Sequence, residues 1–476
     1  MLVPGQLVPL SIEKPAAGGP MIARVDGQIV LVAGAIPGER VTARIDRIGK
    51  GVAYAQTMTV DEPSPDRRTP FTDPLCGGCA YAHVAYARQL EIKAQVVADA
   101  FARIGRIELP SAVRVAPSPD EGYRMRARLH LRDGHIGFFR EGTHEICDAR
   151  ATRQLLPATS DVLDRLAGGL RSTDIDAVRE LEVSENVDAS DRVIHLTTTA
   201  PVEPASLTSL ARVDGLTGLS ISHQSPVSGR QTAGRIGQPP VEQDFSPARS
   251  AAPAFSRPSR IAQDFGRPAP VVQDFSPARS DVIAGSPYVT DVLSINGHAV
   301  TLRRHVLAFF QANRFLLHDL VAHVSERIEQ GSSVVDLYAG VGVFAVTAAM
   351  VRGARVIAVE GDRVAARDLD ANAAAAEGAV ETVHQAVEAF TVGARPRPDT
   401  LIVDPPRTGM SKEALEGAIR LGATQVLYVS CDVATLARDS RRLVDAGYRL
   451  TRIHAFDLFP NTPHVETVVE FENLRI

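Results

Sequence analysis

Residues 334–346 read VVDLYAGVGVFAV. The apolar run Val334–Leu337 has the length and composition of a buried strand, and it passes through Asp336 into Gly340-Val341-Gly342 before an apolar helical pattern begins. Glycines at a strand-to-helix turn let a ligand approach the backbone closely. Such a turn alone fits nucleotides, dinucleotides and S-adenosylmethionine alike. The next run, RVIAVE, ends in Glu360, where an acid can accept hydrogen bonds from both hydroxyls of a ribose. The dinucleotide pattern GxGxxG is incomplete, because Val343-Phe344-Ala345 follows Gly342. The turn therefore favours S-adenosylmethionine over NAD.

Outward from this turn, Arg355–Glu360, Thr400–Asp404 and Gln425–Cys431 are further short apolar strands separated by Ala-rich helical stretches. That alternation predicts an α/β domain with a doubly wound, Rossmann-like parallel sheet over residues 287–476. Ligands of such sheets sit beyond the carboxyl ends of the strands. Asp404 in DPPR and Ser430-Cys431 in YVSCD fall at such ends. Taken singly, a strand-end Asp is often a helix cap and a Cys after an apolar strand is usually a small buried residue. Side by side with a cofactor turn, they make a candidate site.

Residues 1–62 differ in character. Ile22–Val25, Gln28–Val32, Val41–Ile45 and Val52–Val60 are short apolar or alternating runs broken by glycines, a pattern that suits a small β-barrel of oligonucleotide-binding type. A central α+β segment, residues 63–223, carries Cys76-Gly-Gly-Cys79, a helical stretch Tyr86–Ile104, and a strand from Tyr123 to Leu131. In that strand Arg124, Arg126 and Arg128 alternate with Met125, Ala127 and Leu129. The plain reading is a solvated face; the functional one is a row of guanidinium groups for RNA phosphate. Residues 224–286 are rich in Pro, Ser, Arg and Gln, and QDFSPARS occurs at 243–250 and again at 273–280. Such a stretch has too little apolar content to offset the entropy of ordering it, and a disordered insertion is expected.

The net charge of −5 does not advertise a nucleic-acid binder, so a polyanion would have to be met by local clusters. Lysine occurs only at 14, 50, 93 and 412; arginine, which stacks on bases and forks onto phosphates, supplies the rest of the positive charge. Four cysteines argue against a disulfide framework and leave metal binding or catalysis as their special roles. No apolar run of about 18 residues or more is present, and the N-terminus has no signal-peptide pattern. A cytoplasmic monomer with no membrane association is expected.

Together these residues resemble the RNA uracil-5-methyltransferase family, which includes bacterial 23S rRNA and tRNA uridine methyltransferases. The resemblance rests on FFQAN (309–313), DLYAGVG (336–342), AVEGD around Glu360, DPPRTG (404–409), YVSCDVATLARD (428–439) and PHVETV (463–468), and it covers nearly all of the chain outside 224–286. Residues 1–62 look like the TRAM domain that often precedes this catalytic unit. The resemblance implies structured RNA, rRNA or tRNA, as substrate and S-adenosylmethionine as methyl donor. It implies that Gln311, Tyr338, Gly340, Gly342, Glu360 and Asp404 surround the cofactor or the target base, that Cys431 is a nucleophile toward uracil carbon 6, and that Glu466 is the base that removes the carbon 5 proton.

Many relatives with a TRAM domain hold an iron–sulfur cluster on four cysteines. Cys76 and Cys79 match the middle pair, but Pro70 and Thr152 stand where the outer two belong, and Cys147 lies five residues before Thr152. Clusters of this kind want four thiolates, so the expectation is a CGGC bend kept after its metal was lost. Two other functions compete. A nucleobase amino-group methyltransferase would need an aromatic residue after the two prolines, where Arg407 stands. An RNA-binding protein with a vestigial catalytic domain would fail to bind S-adenosylmethionine.

Overall fold

The computed structural model describes residues 2–172, 177–223, 280–393 and 397–475. Residues 7–62 form a six-stranded sheet in the order Leu7–Ser11, Arg40–Ile48, Val52–Glu62, Gln28–Ala33, Met21–Val25, Lys14–Pro15. Its strands alternate as the sequence does: Val41, Ala43 and Ile45 are buried while Arg40 and Arg44 are exposed. Ile92 and Val96 from the helix Tyr86–Ala100 complete this core, together with Tyr81 and Val84.

The central segment is a seven-stranded sheet in the order Ile146–Asp148, His135–Phe139, Arg126–Arg132, Val178–Glu185, Arg192–Thr198, Gly218–His223, Asp281–Gly285. Its apolar face packs on the helix Pro157–Ser172 through Val162, Leu163 and Leu166. The last strand lies inside the stretch read as low complexity, 224–286; its residues Val282 to Ala284 pair antiparallel with Leu219 and Ser220. The rest of that stretch, apart from Ser280 and Ser286, including both QDFSPARS copies up to residue 279, lies outside the described residues.

Two features tie this sheet to the C-terminal part of the chain. The hairpin Tyr288–Ile295 and His298–His305 carries Arg304, fully buried, which bonds Asp291, the Ser184 hydroxyl and the Glu185 carbonyl. Glu185 in turn accepts from Thr159, Arg192 and Arg314, with all four side chains buried. The strand expected from Tyr123 begins at Arg126 instead, because Tyr123–Met125 pairs with the FFQAN segment: Met125 N donates to Ala312 O at 2.8 Å and Arg314 N to Tyr123 O at 2.9 Å.

The C-terminal sheet has eight strands, in the order Val380–His384, Arg355–Glu360, Ser333–Leu337, Thr400–Val403, Gln425–Ser430, Glu466–Asn473, Tyr448–Phe456, Val115–Ala116. The first five are parallel, and Glu466–Asn473 is inserted antiparallel to both neighbours. Val335 and Leu337 point into one apolar layer and Val334 into the other, so the strand is buried on both faces, as parallel strands are. Helices start promptly after the strand ends because polar caps stand there. Asp362 accepts from Val364 N and Ala365 N, and Asp432 accepts from Thr435 N. Among the described residues no helix is long and apolar enough to cross a membrane.

Candidate active site

The order of strands reverses between Ser333–Leu337 and Thr400–Val403, and the candidate residues follow the carboxyl ends of these strands and their neighbours. The turn after Leu337 is built from three left-handed residues: Tyr338 at φ 64°, Gly340 at 58° and Gly342 at 95°. At Gly342 a Cβ would stand 2.7 Å from Leu369 Cδ1, so glycine is required for packing as well as for φ. Nothing lies within 4 Å of where a Cβ on Gly340 would be, which leaves that stretch of backbone open to a ligand.

Glu360, at the end of the adjacent strand, accepts from Gly340 N at 2.7 Å and from Asp362 N at 2.6 Å. Burial leaves its carboxyl above the usual carboxylate range, although these two amides oppose the shift. The carboxylate is thereby fixed in place, with lone pairs left for hydroxyl donors such as those of a ribose. Asp336 beneath the turn is wholly buried, and neither of its oxygens has a well-formed hydrogen bond. Burial and the neighbouring Asp404 and Glu360 carboxylates push its pKa well up.

Asp404 is half-buried and receives Gln311 Nε2 on Oδ2 at 3.3 Å. Burial pushes it up to about 7, against the pull of Gln311. These residues fit S-adenosylmethionine: an open glycine turn, a ribose-type acid on the next strand, and an amide–carboxylate pair at the switch point.

Cys431 follows the Gln425–Ser430 strand and is half-buried. Ser430 pairs in register with Thr467, so Glu466 lies across from Cys431 on the antiparallel neighbour. Glu466 is buried, its Oε1 has no hydrogen-bond partner, and burial with the Asp404 charge pushes its pKa well up while Arg407 lowers it. The Cys431 thiol is pushed up to about 12 by burial and by Glu466; Arg407 counters both by charge and by a hydrogen bond. The sequence marks Arg407 only as a departure from another motif. Its place after DPP, on the turn next to Asp404, was the signal that it would reach the cysteine. The turn itself is held by Asp439, which accepts from Met410 N at 3.2 Å and from Tyr428 Oη at 2.8 Å.

The segment leading to Glu466 is anchored by Asn461, buried and left-handed at φ 62°. Its Oδ1 accepts from Arg68 Nη2 at 2.7 Å and Gln89 Nε2 at 2.9 Å, its carbonyl accepts from Tyr81 N at 2.8 Å, and its amide N donates to Gln89 Oε1 at 2.9 Å. Nothing in the local sequence marked it, because these partners come from the other end of the chain.

The arginine row is placed less simply than its alternation predicts. Met125, Ala127 and Leu129 are buried as expected. Arg126 meets Glu182 at 3.1 Å, and Arg128 Nε lies 2.9 Å from Glu182 and 3.3 Å from Glu180, so a row of carboxylates on the next strand matches two of the three. Arg124 Nε is buried without a hydrogen-bond partner. Cys76 and Cys79 lie against Ala82, Phe71 and Cys147 in a small apolar cluster. Cys76 is joined to Cys147 as a disulfide, a cross-link that the cysteine count gave no reason to expect, and the Thr152 hydroxyl donates to Ala149 O at 2.7 Å. Among the described residues no group of three or more His, Cys, Asp or Glu is arranged to hold a metal ion. With Pro70 and Thr152 at the outer positions and Cys76 already bonded, these residues do not fit a four-thiolate cluster.

The model of the tRNA (Uracil-5-)-methyltransferase family matches residues 276–473, and that of the TRAM domain matches residues 3–58. A 23S rRNA (uracil(1939)-C(5))-methyltransferase of Halomonas elongata is 30% identical over 484 residues, covering 98% of this chain and 89% of that one. An uncharacterized RNA methyltransferase of Thermotoga maritima is 29% identical over 474 residues, 96% of this chain and 97% of its own. Among solved structures, the tRNA (uracil-54, C5)-methyltransferase of Pyrococcus abyssi in complex with S-adenosyl-L-homocysteine superposes with a TM-score of 0.70. It is 23% identical and covers 97% of this chain and 99% of its own, a likeness of fold.

Proposed function

Because the chain belongs to the RNA (uracil-5-)-methyltransferase family, we propose that it methylates carbon 5 of a uridine in structured RNA through a covalent adduct on Cys431. The observation that carries this reading is the placement of Cys431 opposite Glu466, with Asp404 and the glycine turn beside them. S-adenosylmethionine supplies the electrophilic methyl group.

Carbon 5 of uracil is a poor nucleophile until carbon 6 is attacked. Addition of the Cys431 thiolate to carbon 6 makes an enolate, and its carbon 5 takes the methyl group. Arg407 favours the thiolate form of Cys431. Glu466 then removes the carbon 5 proton, and elimination returns Cys431 to the free state. Gln311 and Asp404, held to one another, bind polar edges of the base or cofactor in this reading, and Glu360 binds the ribose. The uridine has to leave any stack to enter such a site. Similarity to a 23S rRNA enzyme along 98% of the chain favours ribosomal RNA as the substrate. Arg128, 61% exposed despite its carboxylate partners, is the arginine of its row best placed for phosphate.

The test is Cys431→Ala together with RNA containing 5-fluorouridine. The wild type should become trapped as a protein–RNA adduct that survives denaturation, and Cys431→Ala should lose both adduct and methylation. Full methylation by Cys431→Ala would refute the adduct route and favour attack by an amino group. Mass-spectrometric mapping of 5-methyluridine in RNA from cells lacking the gene identifies the nucleotide.

A further inference from the structure

We propose that Cys76 and Cys147 form a redox-dependent cross-link, with Cys79 a free thiol beside it, where the family resemblance implies an iron–sulfur cluster, and that this cross-link steadies the segment on which the catalytic loop is anchored. Two of the four cluster positions carry no thiol, and the Sγ of Cys147, displaced five residues from the expected position, bonds Cys76 instead. The Cα atoms stand 5.8 Å apart, an ordinary separation for a disulfide. The strand pairing explains how the displaced cysteine reaches its partner. Cys147 lies opposite Phe138 in the hairpin, while Gly77 N donates to Phe139 O at 3.1 Å and Glu141 N to Leu75 O at 2.7 Å. The CGGC bend is thus laid along the same strand that Cys147 pairs with. Gln154 presses on the other side of the bend, donating to Gly77 O at 2.8 Å.

The bend belongs to a segment that holds the catalytic loop. Tyr81, two residues after Cys79, donates its backbone N–H to Asn461 O, and Arg68 at the start of the segment donates to Asn461 Oδ1. Asn461 opens the stretch that runs through His464 to Glu466. The cross-link closes a loop across 71 residues and fixes the bend relative to the central sheet, so Cys76 and Cys147 act as positioning residues for Glu466. Formation is a balanced exchange with a small-molecule disulfide. One protein thiolate attacks it and releases one small thiol; the second protein thiol displaces the other and closes Cys76–Cys147. Two electrons and two protons pass to the oxidant.

The cross-link does not depend on the catalytic reading above; its effect on Glu466 does, and the experiment separates the two. Full-length protein is equilibrated with oxidised glutathione or with dithiothreitol, alkylated after denaturation, and mapped by peptide mass spectrometry. The oxidised form should show Cys79 and Cys431 alkylated and Cys76 linked to Cys147; the reduced form should show all four cysteines alkylated. On reduction kcat should fall about tenfold with KM for S-adenosylmethionine unchanged, and 5-fluorouridine adduct formation, which needs Cys431 but no base, should persist. Cys147→Ala should turn over at the reduced level under both conditions. Iron with acid-labile sulfide in anaerobically purified protein, or four free thiols after oxidation, would overturn the site. Equal turnover in both states would overturn its link to Glu466. A cross-linked protein that forms no adduct in either state would refute the adduct mechanism and leave the site standing.

Discussion

Cys431 and Glu466 face one another one step beyond the Ser430–Thr467 register pair, on adjacent antiparallel strands. A backbone pairing, and not a flexible side chain, therefore sets the separation of the proposed nucleophile and base. Glu466→Gln keeps the shape and removes the base. Thiol addition and methyl transfer should proceed and release should stop, so that turnover falls about 10²–10⁴-fold while a covalent protein–RNA species builds up on ordinary uridine RNA. A denaturing gel reads this directly. Wild-type turnover in Glu466→Gln would assign the base elsewhere.

Burial, with Glu466 and Asp404 adding to it, pushes the Cys431 thiol up to about 12, and burial raises Glu466 as well. In the proposed mechanism both groups act in their deprotonated forms, and a raised pKa means that deprotonation comes late. The single-turnover rate should therefore climb from about pH 6 to about pH 9 with no acidic optimum. Arg407 pulls the thiol down, so Arg407→Ala should move the rising limb further to alkaline pH. A limb that begins one pH step later leaves about a tenth of the rate at neutral pH. Coincident profiles for wild type and variant would remove Arg407 from this role.

At the cofactor turn, Gly342→Ala meets both a positive φ and Leu369 Cδ1 at 2.7 Å. It should destabilise the protein by about 1–3 kcal/mol and weaken S-adenosylmethionine binding. Glu360→Ala removes the acceptor for Gly340 N and Asp362 N and for a ribose; affinity measured by calorimetry should fall by about 10- to 100-fold. Unchanged affinity in Glu360→Ala would move the ribose elsewhere.

This part of the site was legible because it is local. A strand, two glycines and an acid at the next strand end are written in one unbroken stretch, Val334 to Glu360, and their geometry is fixed by backbone rules. The features that escaped depend on which distant elements become neighbours. Arg126 and Arg128 looked like a solvent-facing row until the Val178–Glu185 strand brought Glu180 and Glu182 alongside. Cys147 was out of step with the expected ligand spacing, and only the pairing of His135–Phe139 with Ile146–Asp148 shows why it meets Cys76. Asp281–Gly285 sits at the margin of a low-complexity stretch, and so short a strand there has no periodicity long enough to register.

Glu185 is a second case of long-range pairing with a measurable cost. Its carboxylate serves Arg192 and Arg314 in a buried position, and Arg314 lies 129 residues away. Glu185→Gln should leave two buried guanidinium groups short of a counter-charge and cost about 3–5 kcal/mol in chemical denaturation. A loss under about 1 kcal/mol would mean that the backbone carbonyls bonded by Arg192 and Arg314 suffice.

The strands Gly218–His223 and Asp281–Gly285 are antiparallel neighbours, with Ile221 directly opposite Asp281. Asp281–Gly285 is the outermost strand of the central sheet, so this edge joins Ile221 to a residue 60 positions further along the chain. Contacts between residues so far apart in the chain form late in folding, after the local hairpins. The central sheet is therefore expected to close at this edge last, after Arg126–Arg132 has paired with His135–Phe139 and Val178–Glu185 with Arg192–Thr198.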